Sequence, residues 1–245
     1  MEKETAKKYD EIAERYYKHR KAGKAFINEY VDMPAVLSLL KSIRHKKLLD
    51  LGCGPGIYAE ILKKRGASVW GVDISAKEID IAKANTKGVD FRVGSAYNIP
   101  FKSNYFDIVV SALAVEYFDK LDLAFSEITR VLKKNGTFIF SVGNPVLRAT
   151  VHKRGTRRNL RRFVDYFKEG QVLAKWALGH KRHRIKMSYM GYTLETYIKA
   201  LRRHGFIIDD YIDAKPLESK RKQAGKWLWI YKVPYISVFK ARKVK

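Results

Sequence analysis

Thiols are nearly absent from this sequence of 245 residues, which contains a single cysteine, Cys53. One thiol excludes a disulfide within the chain and any zinc or iron–sulfur site that needs several cysteine ligands. His180 and His183 lie among basic residues that would repel a cation, so they are interpreted as part of a solvated basic face. We therefore predict no metal site, and we expect a protein of the reducing cytoplasm.

Long apolar runs are absent too. Residues 1–24 carry charges of both signs and lack the apolar core of a signal peptide. The most apolar window, residues 108–115, is far shorter than the ~20 residues that a helix needs to cross a bilayer. The remaining composition, with 46% hydrophobic residues, is typical of a chain that folds around a core.

Acidic residues are scarce, since 25 of them face 50 basic residues and leave a net charge of +25. Such an excess is common in nucleic-acid-binding proteins, but here it is unevenly distributed. Residues 48–145 contain 12 basic and 11 acidic side chains, whereas residues 146–192 contain 13 and 2, and residues 193–245 contain 13 and 5. The positive charge therefore lies mostly beyond residue 145, where we expect an anionic partner to bind.

The hydrophobic pattern alternates between the period of a strand and the period of a helix. Strands are predicted over 47–51, 68–72, 90–93, 105–111, 136–142, 206–211 and 235–241, and helices over 3–21, 34–43, 58–65, 76–85, 121–132 and 193–205. This alternation predicts an α/β fold with a seven-stranded, mostly parallel, doubly wound sheet. The last two strands have only a loop between them, so the last strand is expected to be antiparallel.

We predict one domain over 1–245, with N-terminal helices in 1–47 and a basic, lid-like insertion in 147–192. The insertion separates a strand from the helix that is expected to follow it. Within it, Leu160, Phe163, Val164 and Phe167 have helical spacing, which predicts a basic amphipathic helix and a mainly helical insertion.

A glycine-rich loop follows the first strand, with Gly52, Gly54 and Gly56 at alternate positions. Glycines there let a ligand approach the strand end, which is the usual binding crevice of an open α/β sheet. Asp73 ends the next strand, where a carboxylate can accept hydrogen bonds from both hydroxyls of a ribose. Ile57 breaks the dinucleotide pattern and no Lys-Ser/Thr pair follows the loop, so the motif predicts an adenosine-containing ligand without requiring phosphates.

Several ordered motifs resemble those of class I S-adenosylmethionine-dependent methyltransferases. They are Leu-Leu-Asp-Leu-Gly-Cys-Gly-Pro-Gly at 48–56, Gly-Val-Asp-Ile-Ser at 71–75, Gly-Ser-Ala at 94–96 with Ile-Pro-Phe at 99–101, Phe-Asp-Ile-Val-Val-Ser at 106–111, and residues 128–132 with Asn-Gly at 135–136. The resemblance runs from residue 9 to 144 and again from 192 to 240. It implies a methyltransferase that uses S-adenosylmethionine and releases S-adenosylhomocysteine.

The resemblance also implies a set of cofactor-binding residues. They are Tyr9, Tyr16, Asp50, Gly52, Cys53, Gly54, Gly56, Asp73, Ile74, Ser95, Ala96 and Ser111. The glycine loop would border the methionine part, Asp73 would bind the ribose, and Ile74 would pack on the adenine. Ser95 stands where relatives usually have an acid that reaches the adenine amino group, and the two tyrosines resemble aromatic residues that close over the cofactor.

The sulfonium methyl is already activated, so the protein mainly aligns the two reactants and excludes water. A hydroxyl or ammonium acceptor must also lose a proton, and groups at the ends of the fourth and fifth strands are placed to take it. The catalytic candidates are Glu116, Tyr117 and His152, and the candidate substrate contacts are Asn144, Arg148 and Tyr192. Glu116 is a base, a partner for a cationic substrate, or a solvated carboxylate that opens the next helix. Cys53 is interpreted as a packing residue of the cofactor loop.

The methyl acceptor is left open between two classes. The first is a small, anionic or lipid-like metabolite, with the insertion acting as a lid. The second is tRNA or rRNA, bound by phosphate-contacting side chains and stacking aromatics of the insertion. These side chains are Arg148, Lys153, Arg154, Arg157, Arg158, Arg161, Arg162, Lys181, Arg182 and Arg184, with Phe163, Tyr166 and Trp176. A non-catalytic protein that binds the cofactor, or one that binds a membrane surface, is a third interpretation.

Overall fold

Strands and helices alternate along the chain in the computed structural model, which describes residues 1–152, 161–163, 165–177 and 184–244. The strands are β1 (Lys47–Leu51), β2 (Ser68–Asp73), β3 (Asp90–Val93), β4 (Phe106–Ala112), β5 (Leu132–Gly143), β6 (Thr150–His152), β7 (Arg161–Phe163), β8 (Gly170–Ala177), β9 (Arg184–Gly191), β10 (Phe206–Ala214) and β11 (Ile236–Lys243). The α-helices are α1 (Glu2–Lys21), α2 (Met33–Leu39), α3 (Ile57–Lys64), α4 (Ala76–Asn85), α5 (Leu121–Val131), α6 (Pro145–Arg148) and α7 (Leu194–Arg203). No described helix is both long enough and apolar enough to pass through a bilayer.

Seven strands form one sheet in the order β3-β2-β1-β4-β5-β11-β10. Pairings among β1 to β5 are parallel, whereas β11 is antiparallel to both β5 and β10. The predicted fold class is therefore confirmed, including the antiparallel last strand. The connection between β10 and β11 is not a plain loop, because it contains the 3-10 helices Glu218–Gln223 and Gly225–Tyr231.

The predicted second helix is shorter than expected and is preceded by a π-helical turn, Asn28–Asp32. It ends at Leu39 because Leu40 leaves the helical region with φ −92° and ψ 81°. Leu40 and Ile43 are nevertheless buried, so the apolar spacing that predicted a helix to residue 43 reflects packing of a non-helical segment on the core.

The N-terminal helix lies across the start of α4. Asp10 Oδ1 accepts hydrogen bonds from Ser75 Oγ at 2.6 Å and from the Lys77 N–H at 3.2 Å. Ser75 in turn caps α4, since its Oγ accepts from the Glu78 N–H. The carboxylate of Asp10 thus reinforces the cap and fixes α1 near the carboxyl ends of the strands, where parallel sheets bind ligands.

The expectation of a mainly helical insertion is wrong for the part that the structure describes. After the single turn α6, the described segments form two antiparallel pairs, β6 with β7 and β8 with β9. The helix expected from the spacing of Phe163 and Phe167 is not formed, because β7 covers Arg161–Phe163; Leu160 and Val164 lie outside the described residues. Across β8 and β9, Trp176 pairs with Ile185 and Val172 pairs with Tyr189. Side chains alternate between the two faces of a strand, so these four residues, an even number of positions apart, lie on one face.

Candidate functional site

A cavity of about 1080 Å³ lies where β1, β2 and β4 end. Helix α1 and the antiparallel strands β8 and β9 contribute to its walls through Tyr9, Tyr16, Trp176 and Tyr189. Small-molecule cavities commonly measure ~300–1000 Å³, so this one has room for a cofactor and a small acceptor side by side.

The glycine loop forms the floor of the cavity. Gly52 has φ +74°, and a Cβ atom there would lie 2.4 Å from Cβ of Ala114, so no larger residue fits. Gly54 has φ +50°, but a Cβ atom there would meet nothing within 4 Å. The first glycine is required by packing, whereas the second leaves space beside the backbone that a ligand can use.

This difference predicts unequal costs for two matched substitutions. Gly54→Ala is expected to lower the free energy of unfolding by about 1 kcal/mol, the cost of a left-handed alanine. Gly52→Ala adds a steric clash and should cost about 2–4 kcal/mol. Urea unfolding of both variants measures the difference, and equal losses would contradict the packing argument.

Asp73 lies at the end of β2 and holds the loop with both carboxylate oxygens. The Gly54 N–H donates to Oδ2 at 2.8 Å, and the Ser75 N–H donates to Oδ1 at 2.9 Å. Burial raises the pKa of Asp73, while these N–H groups act in the opposite direction. Each oxygen keeps a lone pair, so the carboxylate could accept one further hydrogen bond at each oxygen from a vicinal diol.

Arg20 is a cavity residue that the sequence did not single out. Its Nε donates to Glu29 Oε1 at 2.5 Å and its Nη1 donates to the Tyr16 hydroxyl at 3.0 Å. Its buried Nη2 has no hydrogen-bond partner among the described residues. Leaving such a group unpaired is costly, so Nη2 could receive an anionic group of a ligand.

Asp50 is the acidic counterpart of Arg20 in the same cavity. It is 1% exposed, and its Oδ2 has no partner within the described part of the chain. Burial, together with the carboxylate of Asp73, raises the pKa of Asp50 to about 7. A cationic group beside Asp50 would favour its ionised form, so Asp50 and Arg20 together could hold a zwitterion.

Cys53 is buried beneath the loop, with its Sγ 3.6 Å from the carbonyl oxygen of Gly54. Burial raises the pKa of the thiol well above its ordinary value. A protonated thiol is a poor nucleophile, which supports the prediction that Cys53 packs rather than reacts.

Glu116 also lines the cavity, on the 3-10 turn Val115–Tyr117 that follows β4. Its Oε2 accepts from the Gly143 N–H at 3.0 Å. Burial raises the pKa of Glu116 to about 7, although this hydrogen bond lowers it. A carboxylate with such a pKa is well matched to general base catalysis near neutral pH.

Aromatic rings enclose the space next to Glu116. Tyr117 contacts Tyr9 edge to face at 5.7 Å and Trp176 at 6.5 Å between ring centroids. Burial raises the pKa of Tyr117 well above its usual range, so its hydroxyl stays protonated. Tyr117 is thus suited to act as a wall or a hydrogen-bond donor. Trp176, considered above as an RNA-stacking residue, is half-buried and packs against Tyr9 and Tyr117.

The candidate substrate residues line the cavity, but their polar groups differ in availability. Asn144 caps α6 by accepting from the Leu147 N–H at 2.9 Å and donates to Asp213 at 3.1 Å and Ser237 at 3.0 Å, so its amide is engaged. The Tyr192 hydroxyl donates to the Phe118 carbonyl at 2.8 Å. Arg148 donates from Nη2 to the Tyr166 carbonyl at 3.2 Å, while its buried Nε has no partner among the described residues.

Three of the predicted residues, Ser95, Ser111 and Gly56, do not line the cavity. Ser95 Oγ donates to Glu2 and accepts from the Tyr97 N–H at 3.0 Å. Ser111 Oγ donates to the Leu51 carbonyl at 2.9 Å, beneath the loop. Gly56 is the N-cap residue of α3. His152 ends β6, and its side chain lies outside the described part of the structure.

Residues distant in sequence complete the wall. Asp32 is buried and accepts from the Tyr58 hydroxyl at 2.6 Å, and burial raises the pKa of Asp32 to about 6. Trp227, Trp229 and Tyr235 also line the cavity. Among the cavity residues that the sequence did not single out, only Arg20 had a sequence signal, because it lies on the same stripe of α1 as Tyr9 and Tyr16. No group of three or more described His, Cys, Asp or Glu residues is placed to hold a metal.

The comparisons with known proteins agree with this geometry. A family model described as a methyltransferase domain matches residues 49–140, which include the glycine loop, Asp73 and Glu116. Among solved structures, a Listeria monocytogenes protein proposed to be an S-adenosylmethionine-dependent methyltransferase aligns with a TM-score of 0.76 and 26% identity, over 87% of this chain and 97% of that one. Residues 49–140 therefore belong to a methyltransferase-domain family, and the chain is similar in sequence and fold to S-adenosylmethionine-dependent methyltransferases.

Two curated relatives extend the comparison. A Haemophilus influenzae protein without an assigned function is 36% identical over 60% of this chain and 61% of its own length. A Pelagibacter ubique protein named ubiquinone biosynthesis O-methyltransferase is 35% identical over 45% of this chain and 48% of its own. The chain thus matches less than two thirds of either relative's length. The cofactor of the family is S-adenosylmethionine, as the resemblance implied.

Proposed function

We propose that this chain transfers the methyl group of S-adenosylmethionine to a small, lipid-like or anionic acceptor. The observation that carries the proposal is a single cavity with two chemically distinct parts. One part contains Arg20, Asp50 and Asp73 around the glycine loop, and the other contains Glu116 among aromatic rings. A donor and an acceptor held in one enclosed cavity can react in line without competition from water.

The residues of the first part fit the polar groups of the cofactor. Its methionine moiety has a carboxylate and an ammonium group, which match the buried Nη2 of Arg20 and the buried Oδ2 of Asp50. Asp73 would accept from the ribose hydroxyls. Ile74 and Ala96 would provide an apolar surface for the adenine, and Tyr9 and Tyr16 would cover the site from α1.

When bound, the cofactor supplies an electrophilic methyl group that needs no further activation. The chain's own contribution is to orient both molecules, exclude water and accept a proton. Glu116 is the proposed base, because its carboxylate faces the acceptor space and is held by the Gly143 N–H. Its raised pKa places proton acceptance near neutral pH.

The shape of the acceptor space supports a small molecule. Trp176, Tyr189 and Tyr192 form an amphipathic wall in which Arg148 offers an N–H group to an anion. The described part of residues 147–192 forms mainly β-strands. This insertion would form a lid over the acceptor space and would belong to one catalytic domain. The name of the Pelagibacter relative adds support for an oxygen acceptor, which would require the base. A single cysteine also fits a cytoplasmic protein.

Transfer of a labelled methyl group tests the proposal. The purified protein is incubated with methyl-labelled S-adenosylmethionine and either a solvent-extractable metabolite and lipid fraction or total tRNA and rRNA. We expect label in the extractable fraction only. Label in RNA would establish the alternative acceptor class, and no label in either fraction, with cofactor binding intact, would argue for the non-catalytic interpretation.

A further inference from the structure

A basic and aromatic segment, residues 215–232, follows β10 and reaches the mouth of the cavity. It contains six basic side chains and one acidic one, Glu218. Glu218 pairs with Arg221 at 2.8 Å, which leaves the other basic groups in excess. The segment is folded onto the body rather than extended, because Ala224 and Ile230 are each 2% exposed and the Leu217 N–H donates to the Tyr30 carbonyl at 2.9 Å.

Aromatic rings hold several of these cations at the surface. The Lys220 ammonium lies 5.0 Å from the centre of the Tyr30 ring, and the Lys226 ammonium lies 5.2 Å from that of Trp227. Arg221 lies 4.9 Å from the Tyr231 ring. Basic groups next to Trp and Tyr rings are the combination found at the interface between a membrane and water.

Large apolar side chains project from the same segment. Leu217 is 40% exposed and Leu228 is 51% exposed. Trp227 and Trp229, by contrast, pack edge to face on Tyr235 at 5.5 and 5.8 Å. The exposed side chains are thus aliphatic, which suits insertion among acyl chains and does not suit stacking on nucleic-acid bases.

We propose that residues 215–232 dock this protein on the surface of an anionic lipid bilayer. The leucines would enter the boundary between headgroups and acyl chains, and the lysines would contact lipid phosphates. Lys226, Trp227 and Trp229 also line the cavity, so docking would bring the cavity mouth against the membrane. The proposal is independent of methyl transfer, since it depends only on this surface.

Flotation with lipid vesicles tests the proposal on the full chain. One set of vesicles contains phosphatidylcholine alone, and the other contains equal parts of phosphatidylcholine and phosphatidylglycerol. We expect binding to the anionic vesicles only, weakened by salt. Lys222→Gln combined with Lys232→Gln should weaken it about 25-fold, since each surface lysine contributes roughly fivefold. Leu228→Ser should weaken it about tenfold.

Matched controls separate docking from general charge and hydrophobicity. Lys83→Gln combined with Lys134→Gln removes the same charge from exposed sites elsewhere. Leu123→Ser alters a leucine that is 45% exposed on α5. Both controls should bind vesicles like the parent protein, and thermal unfolding shows that each variant is folded. Equal effects of test and control variants would overturn the proposal. Equal binding to both vesicle types would also overturn it, and so would absence of binding. A further contradicting result would be that total RNA displaces the protein from vesicles to the same extent with and without Leu228→Ser.

Discussion

Replacing Asp73 with alanine is expected to weaken binding of S-adenosylmethionine by two to four orders of magnitude. The carboxylate would accept one hydrogen bond from each ribose hydroxyl, and a hydrogen bond to a charged group contributes about 1.5–3 kcal/mol. Asp73 also holds the loop through the Gly54 N–H at 2.8 Å. The substitution therefore removes ligand contacts and the order of the loop together.

Asparagine at the same position separates these two effects. Its amide keeps the shape of the side chain but presents NH₂ where one carboxylate oxygen stood. That NH₂ must face either the Gly54 N–H or the Ser75 N–H, both of which need an acceptor. We therefore expect Asp73→Asn to lose affinity as well, by about 100-fold.

Calorimetric titration of the cofactor measures both variants without requiring an acceptor. Asp80→Ala is the matched control, because Asp80 is an exposed carboxylate on α4. Its affinity should equal that of the parent. Cofactor should also raise the unfolding temperature of the control and not of Asp73→Ala. Undiminished affinity of Asp73→Ala would remove Asp73 from the ribose site.

The part of the site around the glycine loop is predictable because its signals are local. The glycine loop joins β1 to α3, and Asp73 ends the next strand, so a short stretch of sequence specifies both. Parallel strands bring their carboxyl ends to one edge. The motif therefore predicts the juxtaposition of Gly54 and Asp73 that the 2.8 Å hydrogen bond shows.

Residues whose environment depends on long-range packing could not be assigned in this way. Arg20 acquires its position in the cavity because Tyr16 and Glu29 bind two of its nitrogens. A motif position likewise does not reveal which hydroxyl is already engaged, as for Ser111 with the Leu51 carbonyl. Asn144 lines the cavity as expected, yet its amide is used by the cap of α6.

The insertion shows a conflict between two periodicities. Leu160, Phe163, Val164 and Phe167 have helical spacing over a few residues, whereas Ile185, Met187 and Tyr189 alternate with polar residues as in a strand. Pairing of β8 with β9 satisfies the backbone of both segments at once. The alternation predicts a strand at 185–189, but not that this strand pairs with residues 170–177.

Replacing Glu116 with glutamine is expected to lower kcat/KM about 10²- to 10⁴-fold with the acceptor that takes label, provided that acceptor must lose a proton. Glutamine preserves the length of the side chain, and its carbonyl oxygen can still accept from the Gly143 N–H, which lies 3.0 Å from Oε2 in the parent. What it loses is the ability to accept a proton from the acceptor. Calorimetric affinity for the cofactor should stay unchanged, which distinguishes this variant from Asp73→Ala.

The pH dependence provides a second signature. The free enzyme's kcat/KM should rise with pH through an apparent pKa of about 7 for Glu116, because only the carboxylate is a base. The glutamine variant should lack that rise. Asp122→Asn, at an exposed carboxylate on α5, is the matched control and should retain it.

Protein stability supplies a measurement that needs no acceptor. Burial raises the pKa of Glu116 from 4.5 to about 7 in the folded chain, so between these pH values the folded state retains a proton that the unfolded state has lost. The parent's free energy of unfolding therefore falls over this range through Glu116, and the glutamine variant lacks that contribution. The variant should gain stability relative to the parent as pH rises from 4.5 to 7 and hold the gain above it. A pH-independent difference between the two proteins would show that Glu116 ionises normally, and it would remove the physical basis for assigning it as the base.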